Sequence, residues 1–96
     1  MDLQTLSNLK SKFVARQVAD ELVIVPLSNN VAQMNELFTL NQTGKFIWDH
    51  ANSEATVENL SNRMCTEFDI SIDIAKKDIE DFLLQMDVLK KYSAAE

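Results

Sequence analysis

The sequence predicts an α+β domain, in which a three-stranded antiparallel sheet is followed by three helices. Two observations support this fold class. Runs of β-branched residues with short breaks occupy residues 13–40, and from Asn41 onward the apolar residues recur every three or four positions. A length of 96 residues allows one hydrophobic core and leaves no room for a second domain.

The strand region predicts a β-hairpin and one further strand. Residues 13–18 and 21–25 are the hairpin strands, and Asp20 is expected to adopt the unusual dihedral angles of the tight turn between them. Pro26 is expected to stop the second strand, since proline has no N–H to donate. The third strand is expected over residues 36–40.

The segment before the hairpin is less regular. Residues 1–12 have leucines at positions 3, 6 and 9, which indicates an arm or a short helix without a cap. The folded domain is therefore expected over residues 13–92, and residues 93–96 are expected to form a tail.

Each predicted helix begins at a residue that can cap it. Asn41, Thr56 and Ser71 have side-chain oxygens that can accept hydrogen bonds from the first N–H groups of a helix. Gly44 costs a helix roughly 1 kcal/mol relative to alanine, so a neighbour is expected to pack closely against it. The third helix is expected to run from about residue 72 to residue 91.

The helical spacing predicts which side chains form the core. In the first helix Phe46 and His50 are expected to lie away from it. The expected core positions are Thr43, Gly44, Ile47, Trp48 and Ala51 in the first helix, Val57, Leu60, Ser61, Met64, Cys65 and Phe68 in the second, and Ile72, Ala75, Ile79, Phe82, Leu83, Met86 and Leu89 in the third.

The third helix also has a second apolar stripe on its other side. Ile74, Leu84 and Val88 recur at helical spacing among Lys77 and Asp81, where a solvated face would be polar. The stripe could wall a groove in which an extra strand adds to a free edge of the sheet. It could equally cover residues 1–11 or form a homodimer contact.

Composition disfavours catalysis and cofactor binding. One glycine cannot form a phosphate-binding loop, and one histidine with one cysteine cannot form a zinc site, so no metal or cofactor is expected. Asp78, Glu80 and Asp81 are interpreted as a solvated helix surface rather than as an acid–base pair. The protein is therefore not expected to be an enzyme.

Charge and hydropathy bear on the partner. The net charge is −6, and from Glu54 onward there are 10 acidic and 5 basic residues, which disfavours nucleic acid as a partner. A winged-helix DNA-binding regulator remains an alternative, since three helices follow a hairpin. No apolar run approaches the roughly 20 residues of a membrane span, and the first residues lack the pattern of a signal peptide, so a cytoplasmic location without membrane contact is expected.

Successive blocks of the chain resemble the PqqD family. The resemblance covers about residues 13–92 and depends on the order and spacing of the blocks. The blocks are Leu40-Asn41-Gln42-Thr43-Gly44-Lys45-Phe46-Ile47-Trp48, Thr56-Val57-Glu58-Asn59-Leu60, Phe68-Asp69-Ile70 and Asp78-Ile79-Glu80-Asp81-Phe82-Leu83.

The resemblance implies a winged helix-turn-helix-like fold and a non-catalytic peptide chaperone. Such a protein binds the leader of a ribosomally made precursor peptide and presents it to a modifying enzyme, often a radical S-adenosylmethionine protein. The leader adds as a strand beside the third strand and packs against the third helix. The residues implied in peptide binding are Glu36, Leu37, Phe38, Thr39 and Leu40 along the strand, and Ile74, Lys77, Asp81, Leu84 and Val88 on the helix.

Overall fold

The computed structural model describes residues 1–27 and 38–89. The α+β fold class is confirmed, with one helix preceding the sheet and three following it among these residues. In chain order the elements are α1 (Leu3–Leu9), a 3-10 turn (Lys10–Lys12), β1 (Phe13–Val18), β2 (Glu21–Pro26), β3 (Phe38–Leu40), α2 (Gln42–His50), α3 (Val57–Phe68), α4 (Ile72–Met86) and a second 3-10 turn (Asp87–Leu89).

The sheet is antiparallel, with β2 in the middle and β1 and β3 at its two sides. In the turn between β1 and β2 the left-handed residue is Ala19, with φ of 54°, so the assignment of this conformation to Asp20 is wrong. The turn is held by the Gln17 side-chain amide, which donates to the Ala19 carbonyl at 2.7 Å. This bond is made to the backbone carbonyl of Ala19 and does not depend on the Ala19 side chain. The identity of residue 19 therefore does not predict its left-handed conformation.

Helix α1 is part of the hydrophobic core. Leu3, Leu6 and Leu9 are all buried, at 2%, 0% and 5% exposure. The expectation that this segment has no cap is wrong, because the Asp2 carboxylate accepts from the Thr5 N–H at 2.7 Å. Hydrogen bonding from the backbone and the side chain of Thr5 lowers the pKa of Asp2. The segment is therefore a capped helix with one apolar face turned inward.

The three predicted caps of the later helices are confirmed. The side-chain oxygens of Asn41, Thr56 and Ser71 accept backbone N–H groups three residues further on, at 2.9, 3.0 and 3.3 Å. Helix α4 is shorter than expected, since it changes to a 3-10 turn after Met86, and the expected end at residue 91 lies outside the described residues. None of the helices in the described ranges combines the length and apolar character needed to cross a membrane.

Most of the expected core stripe of α4 is buried, but Ile72 is not. Its exposure is 37%, because it is the first residue of the helix and lies at the rim of the core, where fewer neighbours cover it. The buried apolar side chains are Leu3, Leu6, Leu9, Phe13, Leu22, Ile24, Leu40, Ile47, Trp48, Ala51, Leu60, Met64, Ala75, Ile79, Phe82, Leu83, Met86 and Leu89.

The expectation that Phe46 lies away from the core is wrong. Its half-buried ring packs edge-on against Phe68 of α3, with 5.4 Å between centroids, and stacks on His50 at 4.0 Å. A projection of α2 by itself treats this side as solvent, whereas α3 covers it in the folded domain.

Candidate functional site

Within residues 1–27 and 38–89, strand β3 is an edge of the sheet, and its register shows which backbone groups are available there. The Leu27 N–H donates to the Lys12 carbonyl at 2.8 Å, so the odd-numbered residues of β2 point their backbone groups toward β1. Because successive residues of a strand point to opposite neighbours, Leu22 and Ile24 bond to β3, opposite Leu40 and Phe38.

Thr39 is consequently the residue of β3 whose N–H and C=O point away from β2. It is opposite Val23 in a pair that makes no ladder hydrogen bonds, and its side chain is exposed. The same alternation explains why Pro26 fits at the end of β2, since no N–H is needed there on the β1 side. A strand placed beside β3 could exchange two hydrogen bonds with Thr39.

Four of the five helix residues implied in peptide binding lie along one face of α4, and Val88 continues the line in the 3-10 turn that follows. We call this set the outer stripe: Ile74, Lys77, Asp81, Leu84 and Val88. Their spacing of three and four residues places them in one line. The apolar members are exposed by 52%, 68% and 42%. The expectation that the stripe is not part of the core is therefore confirmed. The alternative in which the stripe covers residues 1–11 is wrong for Leu84, because this side chain is exposed and the leucines of α1 are buried in the core instead.

The outer stripe carries one ion pair. Lys77 Nζ lies 3.4 Å from Asp81 Oδ2, and the two side chains are 75% and 56% exposed. An exposed pair of this kind stabilises a helix only slightly, because water screens both charges. Both charged groups remain accessible to a partner.

Gly44 lies in the first turn of α2, close to residues of both β3 and α4. A Cβ built on Gly44 would lie 3.2 Å from Phe82 Cε1 of α4 and 3.3 Å from Leu40 Cβ at the end of β3. The predicted close neighbour of this glycine is therefore confirmed. Because glycine has no side chain, Phe82 of α4 and Leu40 of β3 can both approach α2 closely at this position.

A shallow depression of about 140 Å³ lies between the first turns of α2 and the facing side of α4, and it includes Asn41, the residue after β3. Asp81 is the member of the outer stripe that lines it, whereas Ile74, Lys77, Leu84 and Val88 do not. At about 100° per residue, Leu84 is rotated by about 60° from Asp81 in one direction around the helix, and Gln85 by about 40° in the other direction. The full lining is Asn41, Thr43, Gly44, Ile47, Asp78, Asp81, Phe82 and Gln85.

The structure places three of the residues implied in peptide binding near one another, at the end of β3 and the adjoining depression. Thr39 offers the backbone edge, Leu40 ends the strand beside Gly44, and Asp81 lies in the adjoining depression. Glu36 and Leu37 lie outside the described residues.

Sequence reasoning missed Asp78 and Gln85 as members of this site. Asp78 was interpreted as solvated surface, yet it is half-buried and lines the depression together with Gln85. Their positions three residues before and four residues after Asp81 were an available signal, since such residues are neighbours on a helix. In the described ranges no three histidine, cysteine or acidic side chains are grouped so that they could hold a metal ion.

Comparisons with known proteins agree with this architecture. Among solved structures, the chain is similar to one described as "TbiB1 in Complex with the TbiA(beta) Leader Peptide", with a TM-score of 0.66 and 22% identity over 84% of this chain and 88% of that chain. At that identity the likeness shows a shared fold. The comparison with curated proteins found no match. Residues 21–88 match the family described as Coenzyme PQQ synthesis protein D (PqqD), a range that includes β3 and the outer stripe, and the chain therefore belongs to the PqqD family.

Proposed function

We propose that this protein is a non-catalytic peptide chaperone that binds the leader of a ribosomally made precursor peptide and presents it to a modifying enzyme. The observation that carries this proposal is the outer edge of β3, which no other described strand covers and whose last residue packs near Gly44 together with Phe82 of α4. Membership of the PqqD family and the fold shared with a protein solved with a leader peptide support it.

The leader binds as an additional strand beside β3. One leader residue is opposite Thr39 and exchanges two backbone hydrogen bonds with it, each contributing a net of about 0.5–1.5 kcal/mol. The proposed backbone edge comprises Glu36, Leu37, Phe38, Thr39 and Leu40. Backbone bonds are available to any sequence except at proline, so this edge sets the register of the leader and does little to select it.

Side chains of α4 provide the selectivity. The proposed contacts are those of the outer stripe, together with Asp78 and Gln85 of the depression. Asp81 and its depression meet the leader close to Leu40, because the depression is also lined by Asn41, the next residue in the chain. The exposed side chains of Ile74, Leu84 and Val88 gain from being covered by apolar leader residues, by roughly 25 cal/mol for each Å² removed from water.

The modification itself belongs to a separate enzyme, such as a radical S-adenosylmethionine protein. A leader that binds through a few residues leaves the rest of the precursor free to enter the active site of that enzyme. A disordered leader also loses conformational entropy on binding, which offsets part of the contact energy and keeps the complex reversible. Reversibility suits a protein that must pass its peptide on.

The proposal is tested with a leader peptide encoded beside this gene and with two variants of Thr39. Thr39→Pro removes the outward N–H, whereas Thr39→Val keeps it and has a similar size. Proline is tolerated at an edge position whose N–H is outside the ladder, so both variants should fold. Calorimetric titration should show clearly weaker binding for T39P than for T39V, and circular dichroism checks the fold.

Equal affinity of the two variants would contradict strand addition at β3. Backbone amide shifts during the titration provide the second readout, since the Thr39 amide should move and become protected from exchange when peptide is added. Binding of duplex DNA at low salt, with no peptide binding, would favour the regulatory alternative instead.

A further inference from the structure

The first four residues of the outer stripe match themselves when their direction is reversed. Read from the first residue, Ile74, Lys77, Asp81 and Leu84 are apolar, basic, acidic and apolar, separated by three, four and three residues. The reversed order has the same spacing, with the two charges exchanged. In an antiparallel pair of such helices, Ile74 is opposite Leu84 of the other copy, and Lys77 is opposite Asp81.

We propose that a second copy of this chain docks on the outer stripe, through antiparallel pairing of α4 with its counterpart across a two-fold axis at the level of Ile79. Every contact is then made twice, as a two-fold interface requires. Steps of three and four residues form the seam along which helices pack at a small crossing angle. Two ion pairs lie at the middle of the seam, and an Ile–Leu contact lies at each end.

The charges of the seam are available for this exchange. The contact between Lys77 and Asp81 within one helix is 3.4 Å long and largely exposed, so little is lost when each group turns to the other copy. A base that precedes an acid by four residues is also the weaker of the two orders in a helix. Charge complementarity with a second copy therefore replaces a weak internal pair by two pairs between copies.

The apolar ends of the seam supply the gain in burial. Ile74 is 52% exposed and Leu84 is 68% exposed, and the pairing covers each of them with the other. The seam from Ile74 to Leu84 is only about 15 Å long at 1.5 Å per residue. Asp78 and Glu80 of the two copies also come near one another and repel, so the dimer is weak and forms at high protein concentration.

The dimer and the leader peptide compete for the same face. This step alone depends on the proposed function, because the outer stripe is also the proposed wall of the peptide groove. Addition of leader peptide should convert dimer into monomer, and concentrated protein should bind the peptide with lower apparent affinity than dilute protein.

Analytical ultracentrifugation over a concentration series reaching the millimolar range tests the pairing. Lys77→Asp places two acidic residues opposite two others, and Asp81→Lys does the same with basic residues, so each variant alone should dimerise about tenfold more weakly or worse. A mixture of the two variants should form heterodimers, and the double variant K77D/D81K should dimerise like the unaltered chain. Lys76→Asp is the matched control, since it makes the same charge change outside the seam.

Several results would overturn the proposal: an unaltered chain that stays monomeric throughout the series, single variants that dimerise as well as K76D, or a mixture that forms no heterodimers. Dimerisation that is unaffected by all these charge changes would place the contact elsewhere, for example along the outer side of β1. If the charge-swap pattern holds and the leader binds without dissociating the dimer, the competition is wrong while the pairing stands. If the pairing holds and T39P binds leader as well as T39V, strand addition fails by itself.

Discussion

Replacement of Gly44 by alanine tests the close packing of Phe82 and Leu40 against the first turn of α2. In an exposed helix interior this substitution would stabilise the protein by roughly 1 kcal/mol, because alanine loses less backbone entropy than glycine on folding. Here the new Cβ would lie 3.2 Å from Phe82 Cε1 and 3.3 Å from both Asn41 Oδ1 and Leu40 Cβ. The two carbon–carbon distances, to Phe82 and Leu40, are shorter than a comfortable van der Waals contact of about 3.5–4.0 Å.

The neighbours of Gly44 cannot all move away at little cost. Phe82 and Leu40 are 5% and 4% exposed, and the Asn41 oxygen is held by its capping bond to the Gly44 N–H. Overpacking of this kind costs about 1–3 kcal/mol, which exceeds the helical gain of roughly 1 kcal/mol. We therefore expect G44A to lower the free energy of unfolding by about 1 kcal/mol, measured by urea denaturation with an unchanged m-value.

A double-mutant cycle shows whether Phe82 is responsible. Phe82→Leu removes the nearest ring atom, so G44A should cost less in the F82L background than in the unaltered chain, with a coupling of about 0.5 kcal/mol or more. Ser53→Ala is a control at an exposed position in the connection between α2 and α3. A G44A variant that is more stable than the unaltered protein would refute the close packing of Phe82 and Leu40 against Gly44.

Three further predictions concern stability and binding. Leu84→Glu should change the free energy of unfolding by no more than about 0.5 kcal/mol and should weaken leader binding in calorimetry. Leu83→Glu, at a side chain that is 7% exposed, should unfold the domain or lower its melting temperature sharply. Equal effects of the two variants would contradict the assignment of Leu84 to the exposed face and Leu83 to the core. Asn41→Ala should lower the free energy of unfolding by about 1 kcal/mol through loss of the α2 cap, while Asn41→Asp should retain most of it. The pKa of Asp2 is lowered by the Thr5 N–H, so the contribution of this carboxylate to stability is present above the ordinary pKa of 3.8 and is lost as the pH falls through the lowered value. The free energy of unfolding should therefore fall less steeply with acid in Asp2→Asn than in the unaltered chain. The same pH dependence in both proteins would argue against the cap.

Local features of this fold were predictable because they depend on a few neighbouring residues. Asn41, Thr56 and Ser71 were identified as caps because each precedes an apolar helical pattern, and the cap bond spans only three residues. Asp2 stands in the same relation to the leucines of α1, so that cap was also within reach of the sequence. The turn at Ala19 was not, because its dihedral angles depend on the pairing of β1 with β2 and on the bond from Gln17.

The sequence by itself determined the fold class, the start of α2 at Asn41 and the existence of an apolar stripe on α4 outside the core. These follow from spacing along one element, where positions three or four residues apart must share a face. The tertiary structure decided that β3 is an edge among the described strands, that the backbone groups of Thr39 point away from β2, and that Asp81 rather than Leu84 shares a depression with Asn41. The physical reason is that sheet order and the rotation of a helix are set by contacts between distant parts of the chain, here the close approach of Phe82 to Gly44 and Leu40.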